Sequence, residues 1–151
     1  MRFTICILLI AFCLSACKKE TFESVPQISF KSFSPNVWYY QGTSRLDQGP
    51  VMSLQLTDAE GDFGDTSYIY VRNLVTDSLN LDSFKFPNLS SLNTKNLNVQ
   101  VDVILADLYP SNPVPPSTIT DTLFFEIYVK DRANNKSNVI KTTEPLFLIT
   151  E

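Results

Sequence analysis

The strongest constraint on the fold is a strict alternation of apolar and polar residues in two stretches of the chain. Apolar side chains occupy every second position from Leu97 to Leu105, and again from Leu123 to Val129. Successive side chains of a strand point to opposite faces, so this spacing predicts β-strands with one buried face. No window of a dozen residues shows convincing helical spacing, and we therefore expect an all-β domain.

Shorter alternating runs predict further strands, and turn residues such as Pro, Gly, Asn and Asp separate them. Together with 97–105 and 123–130, the predicted strands cover residues 27–33, 37–41, 51–57, 68–73, 139–143 and 146–149. Residues 74–96 alternate only weakly, around Ser83–Phe86, and predict one or two edge strands. A series of about seven short, punctuated strands favours a β-sandwich.

The first 16 residues have the layout of a secretory signal. A basic Arg2 precedes the apolar run from Phe3 to Leu14, and small residues follow. An apolar segment of roughly 7 to 15 residues ending in small residues is typical of a cleaved signal, whereas a membrane-spanning helix needs about 20. We therefore expect residues 1–16 to be removed on export.

The tetrapeptide Leu14-Ser15-Ala16-Cys17 resembles the lipobox of bacterial lipoproteins. The resemblance implies that Cys17 carries a diacylglycerol on sulfur and a further acyl chain on its freed amine, which together make a durable membrane anchor. Lys18 stands where an aspartate would favour inner-membrane retention, so an outer-membrane location is implied, facing the periplasm or the cell surface. The predicted organisation is a signal (1–16), a lipidated tether (17–26) and one β-sandwich domain (27–151).

Composition excludes several classes of function. Because Arg2 leaves with the signal, the mature chain keeps 11 basic and 16 acidic side chains, a formal charge of −5 with scattered cations, which argues against nucleic acid. The chain has no histidine, which removes the usual Ser-His-Asp and Cys-His nucleophile systems and histidine-based zinc sites. Two of the three cysteines lie in the signal, so the exported domain has no internal disulfide and depends on its core.

Two segments resemble bacterial immunoglobulin-like and cadherin-like modules. Residues 125–138, FEIYVKDRANNKSN, are similar to the penultimate strand and final hairpin of such modules, with Asn134 in the place of a glycine. Asn is the non-glycine residue that best tolerates positive φ, so the turn should persist. Residues 54–62, LQLTDAEGD, are similar to their strand and acidic loop. The resemblance implies an immunoglobulin-like β-sandwich and says little about function.

In an immunoglobulin-like sandwich the loops after strands 51–57 and 123–130 meet at one end. Calcium takes six to eight oxygen ligands, so this convergence predicts a candidate calcium site. Its residues are Asp58, Glu60, Asp62, Asp65 and Asp131. The spacing is not that of an EF-hand. The alternative is a solvated acidic loop in which Asp58 and Asp131 accept hydrogen bonds from backbone amides while Gly61 and Gly64 supply turns.

We expect a non-catalytic, lipid-anchored envelope module with a binding or structural role, whose partner is an envelope protein or a glycan. An alternative is a carbohydrate-recognition accessory lipoprotein that stacks sugars on Trp38 and Tyr40, since both rings lie on the same face of one strand. A second alternative is a small hydrolase using paired carboxylates at Asp58, Glu60 or Asp62, but these acids are crowded on one turn.

Overall fold

The fold is all-β, as the alternation predicts. The computed structural model describes residues 22–40, 49–64, 66–75, 81–86, 95–108 and 119–150. These residues form one short 3-10 helix, Leu105–Leu108, and ten strands. The strands are β1 (Gln27–Ser34), β2 (Val37–Tyr40), β3 (Val51–Asp58), β4 (Tyr68–Asn73), β5 (Asp82–Lys85), β6 (Leu97–Ile104), β7 (Ile119–Leu123), β8 (Phe125–Lys130), β9 (Ile140–Lys141) and β10 (Leu146–Thr150). Within the described ranges no helix has the length and apolarity that crossing a membrane requires.

The strands belong to three sheets, in an arrangement consistent with a β-sandwich. One sheet has the order β1-β3-β6, a second has the order β5-β4-β8-β9, and a third has the order β2-β10-β7. All pairings are antiparallel except that of β2 with β10, which is parallel. Buried side chains from all three sheets belong to a single apolar cluster, so the sheets share one core.

Most predicted strands are found within a residue or two of their expected ends, and β5 is an edge strand of the weakly alternating region. In place of the single predicted strand 123–130, the structure has two strands, β7 and β8, which begin at Ile119 and are separated at Phe124. They are separate because β7 pairs with β10 whereas β8 pairs with β4 and β9. Leu123 and Phe125 are both fully buried, so the alternation keeps its phase through the break. The chain thus passes from one sheet to another without leaving the core.

A β-bulge keeps β1 in register with the core. The apolar residues Ile28, Phe30 and Phe33 are not evenly spaced, and a regular strand would turn Phe33 outward. The pairing register shifts between Phe30 and Ser32, which makes Lys31 the extra residue of a bulge. Phe33 is therefore buried, and its ring lies edge-on to that of Phe125 with the centroids 5.8 Å apart.

Asn138 joins the first sheet to the chain just before β9. Its side-chain oxygen accepts a hydrogen bond from the Ile28 N–H at 2.7 Å, and its side-chain nitrogen donates to the Ile28 carbonyl at 2.9 Å. One amide therefore satisfies both backbone groups of a buried residue, as a neighbouring strand would do. This pair of bonds fixes β1 against the second sheet.

We predict that Asn138→Ala lowers the free energy of unfolding by about 2 kcal/mol, because both backbone groups of Ile28 lose their partners. Urea denaturation followed by circular dichroism measures the change. Asn98→Ala is the matched control, since Asn98 is exposed and accepts one bond from Gln55, and its cost should stay below about 0.5 kcal/mol. Equal losses in the two variants would contradict this role of Asn138.

Candidate functional site

The loop after β3 and the turn after β8 meet at one end of the fold, as the immunoglobulin-like resemblance implies. The backbone N–H of Arg132 in the turn donates to the carbonyl of Asp62 in the loop at 3.1 Å. Phe63, which is 3 % exposed, stacks on Phe86 with ring centroids 4.6 Å apart. The acidic loop is therefore attached to the core by an aromatic plug and to its neighbouring turn by a backbone bond.

Asp58 is a fully buried carboxylate at the end of β3. Its Oδ2 accepts a hydrogen bond from the Gly61 N–H at 2.6 Å, and Gly61 has a φ of 60°, which glycine adopts without strain. Its Oδ1 is buried and has no hydrogen-bond partner, and the same is true of Asp62 Oδ1. One half of the Asp58 carboxylate thus forms the turn, and the other half is left unsatisfied.

Asp131 is used to build the turn after β8. It is 2 % exposed, and its two oxygens accept bonds from the backbone N–H and the side-chain amide of Asn135 at 2.7 and 2.8 Å. Asn134 has a φ of 68°, which confirms the expected positive φ at this position. Both Asp58 and Asp131 therefore accept backbone amide bonds, which the alternative interpretation of the acidic loop predicts.

The described residues do not assemble the predicted set of five carboxylates around one point. Glu60 is exposed, and Asp65 lies outside the described residues. Among those that are described, no three acidic side chains are arranged to hold a metal ion. Two carboxylate oxygens in this region, Asp58 Oδ1 and Asp62 Oδ1, are buried without a hydrogen-bond partner. Cys17, the predicted lipidation site, also lies outside the described ranges.

Burial raises the pKa of Asp58 above its ordinary value of 3.8. The Gly61 hydrogen bond opposes this, and repulsion from Asp62, Asp131 and Glu60 adds to it. The folded protein therefore binds this proton more tightly than the unfolded chain, so stability falls as the pH rises through the folded pKa. Ionisation of Asp58 therefore lowers the stability of the fold.

We predict that Asp58→Asn flattens the fall in melting temperature as the pH rises above the ordinary aspartate pKa of 3.8, because the amide can still accept the Gly61 bond but carries no charge. Melting followed by circular dichroism at several pH values tests this. Glu144→Gln makes the same chemical change at an exposed position and should leave the pH profile as in the wild type. An unchanged profile in Asp58→Asn contradicts the assignment.

The structure corrects the interpretation of Trp38 and Tyr40 as a stacking platform. Each side chain is only 6 % exposed, and the two rings pack edge to face in the core with centroids 5.5 Å apart. They do lie on the same face of β2, but that face is the inner one, since the register pairs Trp38 with Leu148, which is also buried. Tyr39, 58 % exposed, is the ring that points outward.

The outward side of the second sheet carries a cluster that the sequence analysis did not single out. Cross-strand pairing places tyrosines and basic residues from β4, β5, β8, β9 and the turn after β8 on this side. We call it the tyrosine–lysine face. Its members are Tyr68, Tyr70, Arg72, Ser83, Lys85, Glu126, Tyr128, Lys130, Lys136 and Lys141.

Aromatic and cationic contacts order the middle of the tyrosine–lysine face. The rings of Tyr70 and Tyr128 are stacked, with centroids 4.7 Å apart and planes inclined by 13°. The Lys136 ammonium lies 4.0 Å from the Tyr128 ring centroid, and that of Lys130 lies 5.8 Å from the Tyr70 centroid. Burial raises the pKa of the Tyr128 hydroxyl and the neighbouring Tyr70 raises it further, so it remains a hydrogen-bond donor at neutral pH.

A signal for this face was present in the sequence. In the strands that begin at Tyr68 and Phe125, the polar phase of the alternation holds Tyr68, Tyr70 and Tyr128. Large aromatic rings at solvent-facing strand positions are unexpected, because any small polar side chain would suit such a position. No protein-family model, curated protein or solved structure matches the chain.

Proposed function

We propose that the protein is a non-catalytic, lipid-anchored module of the bacterial outer membrane that binds a partner in the cell envelope. The observation that carries the proposal is the tyrosine–lysine face, where ordered rings and cations project from a sheet whose other side is core. A site built on strands is held more rigidly than one built on loops. Tyr and Arg are enriched at binding surfaces, which supports a recognition role.

The acidic loop supports the non-catalytic part of the proposal. A carboxylate-dependent hydrolase would need a pair of acids directed at a substrate, one of them with its pKa raised in an apolar cleft. Burial does raise the pKa of Asp58, but one of its oxygens is tied to Gly61 in the turn. Asp131 is engaged by Asn135 through both oxygens. These acids are better suited to closing loops than to attacking a substrate.

An immunoglobulin-like topology is also part of the proposal. In that fold, strand B pairs with A and E in one sheet, and strand C pairs with F in the other. The pairings of β3 with β1 and β6, and of β4 with β8, agree with this pattern. Strands β7 and β8 then correspond to one long strand F that is divided at Phe124.

We predict that cells expressing the wild-type protein incorporate labelled palmitate into it, whereas Cys17→Ser abolishes labelling and releases the protein from the membrane fraction. The reason is that the thiol of Cys17 is the proposed site of diacylglycerol attachment. Cys13→Ser lies within the signal and should keep full labelling. Label that persists in Cys17→Ser, or is missing from the wild type, would overturn the anchor.

A calcium ion at the acidic loop is a second candidate property, favoured by the two buried Oδ1 atoms of Asp58 and Asp62 that lack partners. A cation bound there would compensate the negative charge of Asp58, whose pKa is raised first by burial and then by repulsion from Asp62, Asp131 and Glu60. The described residues supply only these two carboxylate oxygens that are both buried and unpartnered, so backbone carbonyls and water would complete the ligand set.

We predict that calcium at about 1 mM raises the melting temperature by about 3 °C, through the linkage of binding to folding. Differential scanning calorimetry of the wild type measures the shift, with magnesium as the comparison ion. The double variant Asp58→Asn/Asp62→Asn should not respond, and Glu144→Gln should respond as the wild type does. An unresponsive wild type, or an equal shift in the double variant, excludes this site.

A further inference from the structure

We propose that the tyrosine–lysine face binds an anionic polysaccharide, a sugar chain bearing carboxylate, sulfate or phosphate groups. The inference rests on the proposed envelope function and names its ligand class. The mature chain carries a net charge of −5, yet this face holds four lysines and one arginine against a single acid, Glu126. A local excess of positive charge on an acidic protein attracts anions.

The outward side of the first sheet shows what a merely solvated face looks like in this protein. Between β3 and β6 it carries Ser, Gln, Asn and Asp side chains that bond to one another. Ser53 Oγ donates to Asp102 at 2.7 Å, and Gln100 donates to the same carboxylate at 3.1 Å. A solvent-facing side of a sheet in this protein therefore needs neither tyrosines nor clustered lysines. Solvation alone does not account for the residues of the tyrosine–lysine face.

Lysine content favours a sugar chain over a protein partner. Protein interfaces are enriched in Tyr and Arg but depleted in Lys, because the ammonium group is strongly hydrated. Four of the five cations on this face are lysines, so the partner should be hydrated and should carry discrete anionic groups. A polysaccharide with one acidic group per sugar or per few sugars has this chemistry, and phenolic hydroxyls can donate to its other oxygens.

The ring stack prepares the cations for binding. Lys136 lies over one side of Tyr128, and Tyr70 stacks on the same ring, so the ammonium is held near the sheet instead of moving freely. Arg72 is already paired with Glu126 at 3.3 Å. The lysines at 85, 130, 136 and 141 are therefore the cations proposed to meet the ligand, and they lie on β5, β8, the turn after β8 and β9 of one sheet.

The experiment measures binding of the full-length protein, purified in non-ionic detergent, to immobilised alginate, a polyuronate. Neutral dextran and polyglutamate are the comparison surfaces. We expect binding to alginate that weakens as salt is added, because exposed charges are screened. Lys130→Gln/Lys136→Gln should weaken it by about tenfold, and Lys85→Gln/Lys141→Gln by a similar factor.

The control variant Lys31→Gln/Lys95→Gln removes the same net charge from exposed positions outside this face and should bind as the wild type does. The melting temperature of each variant is first compared with that of the wild type. If either Lys130→Gln/Lys136→Gln or Lys85→Gln/Lys141→Gln does not fold, the other one serves as the test. Equal losses in face and control variants, or tighter binding to polyglutamate than to alginate, overturn the proposal. The first result indicates a net-charge effect, and the second indicates an acidic protein partner.

Failure here is distinguishable from failure of the anchor. Alginate binding is measured without a membrane, so it does not depend on Cys17. If the protein is labelled by palmitate but does not bind alginate, the proposed envelope location stands and the proposed ligand class is excluded. A protein that binds alginate but is not labelled keeps the ligand class and loses the anchor.

Discussion

The structure depends on keeping the apolar phase of every strand directed at one core. Residues 18–151 contain no cysteine, so burial of apolar surface must supply the stability that some small domains obtain from disulfide cross-links. Two local features show how strongly this constraint acts. The bulge at Lys31 resets the phase so that Phe33 is buried, and the break at Phe124 changes the sheet without changing the phase. In both places the strand pairing is interrupted, but the apolar side chains on either side of the interruption remain buried.

The same alternation places buried and exposed charge next to each other. Lys130 is the last residue of β8 and belongs to the tyrosine–lysine face, whereas Asp131 follows it directly and is 2 % exposed. Adjacent residues of an extended chain point to opposite sides, so one step along the backbone separates the basic face from the acidic turn. Two regions of opposite charge therefore lie next to each other in the fold, on opposite sides of the chain. The position of both regions is set by β8, which ends at Lys130.

The strands and the turn chemistry could be predicted from the sequence because both are local. The range 68–73 and the positive φ of Asn134 follow from alternation and from the properties of one side chain. The meeting of the two loops, shown by the bond from Arg132 to Asp62, was expected only on the assumption of an immunoglobulin-like strand order. The burial of Trp38 could not be predicted, because alternation says that Trp38 and Tyr39 face opposite ways but not which side is inside. That choice is made by the parallel pairing with β10, more than a hundred residues away.

The tyrosine–lysine face escaped prediction for a related reason. Tyr70 and Tyr128 are 58 positions apart and become stacked neighbours only through the register of β4 on β8. A shift of one residue in that register would turn Tyr128 into the core and expose Val129, so the same apolar phase that builds the core also sets the spacing of rings and lysines outside it. A ligand on this face would therefore bind a surface that is organised before the ligand arrives, which lowers the entropic cost of association. The turn after β8 contributes Asp131 to the acidic end and Lys136 to this surface, so the two regions share one segment of the chain and a change in that turn affects both.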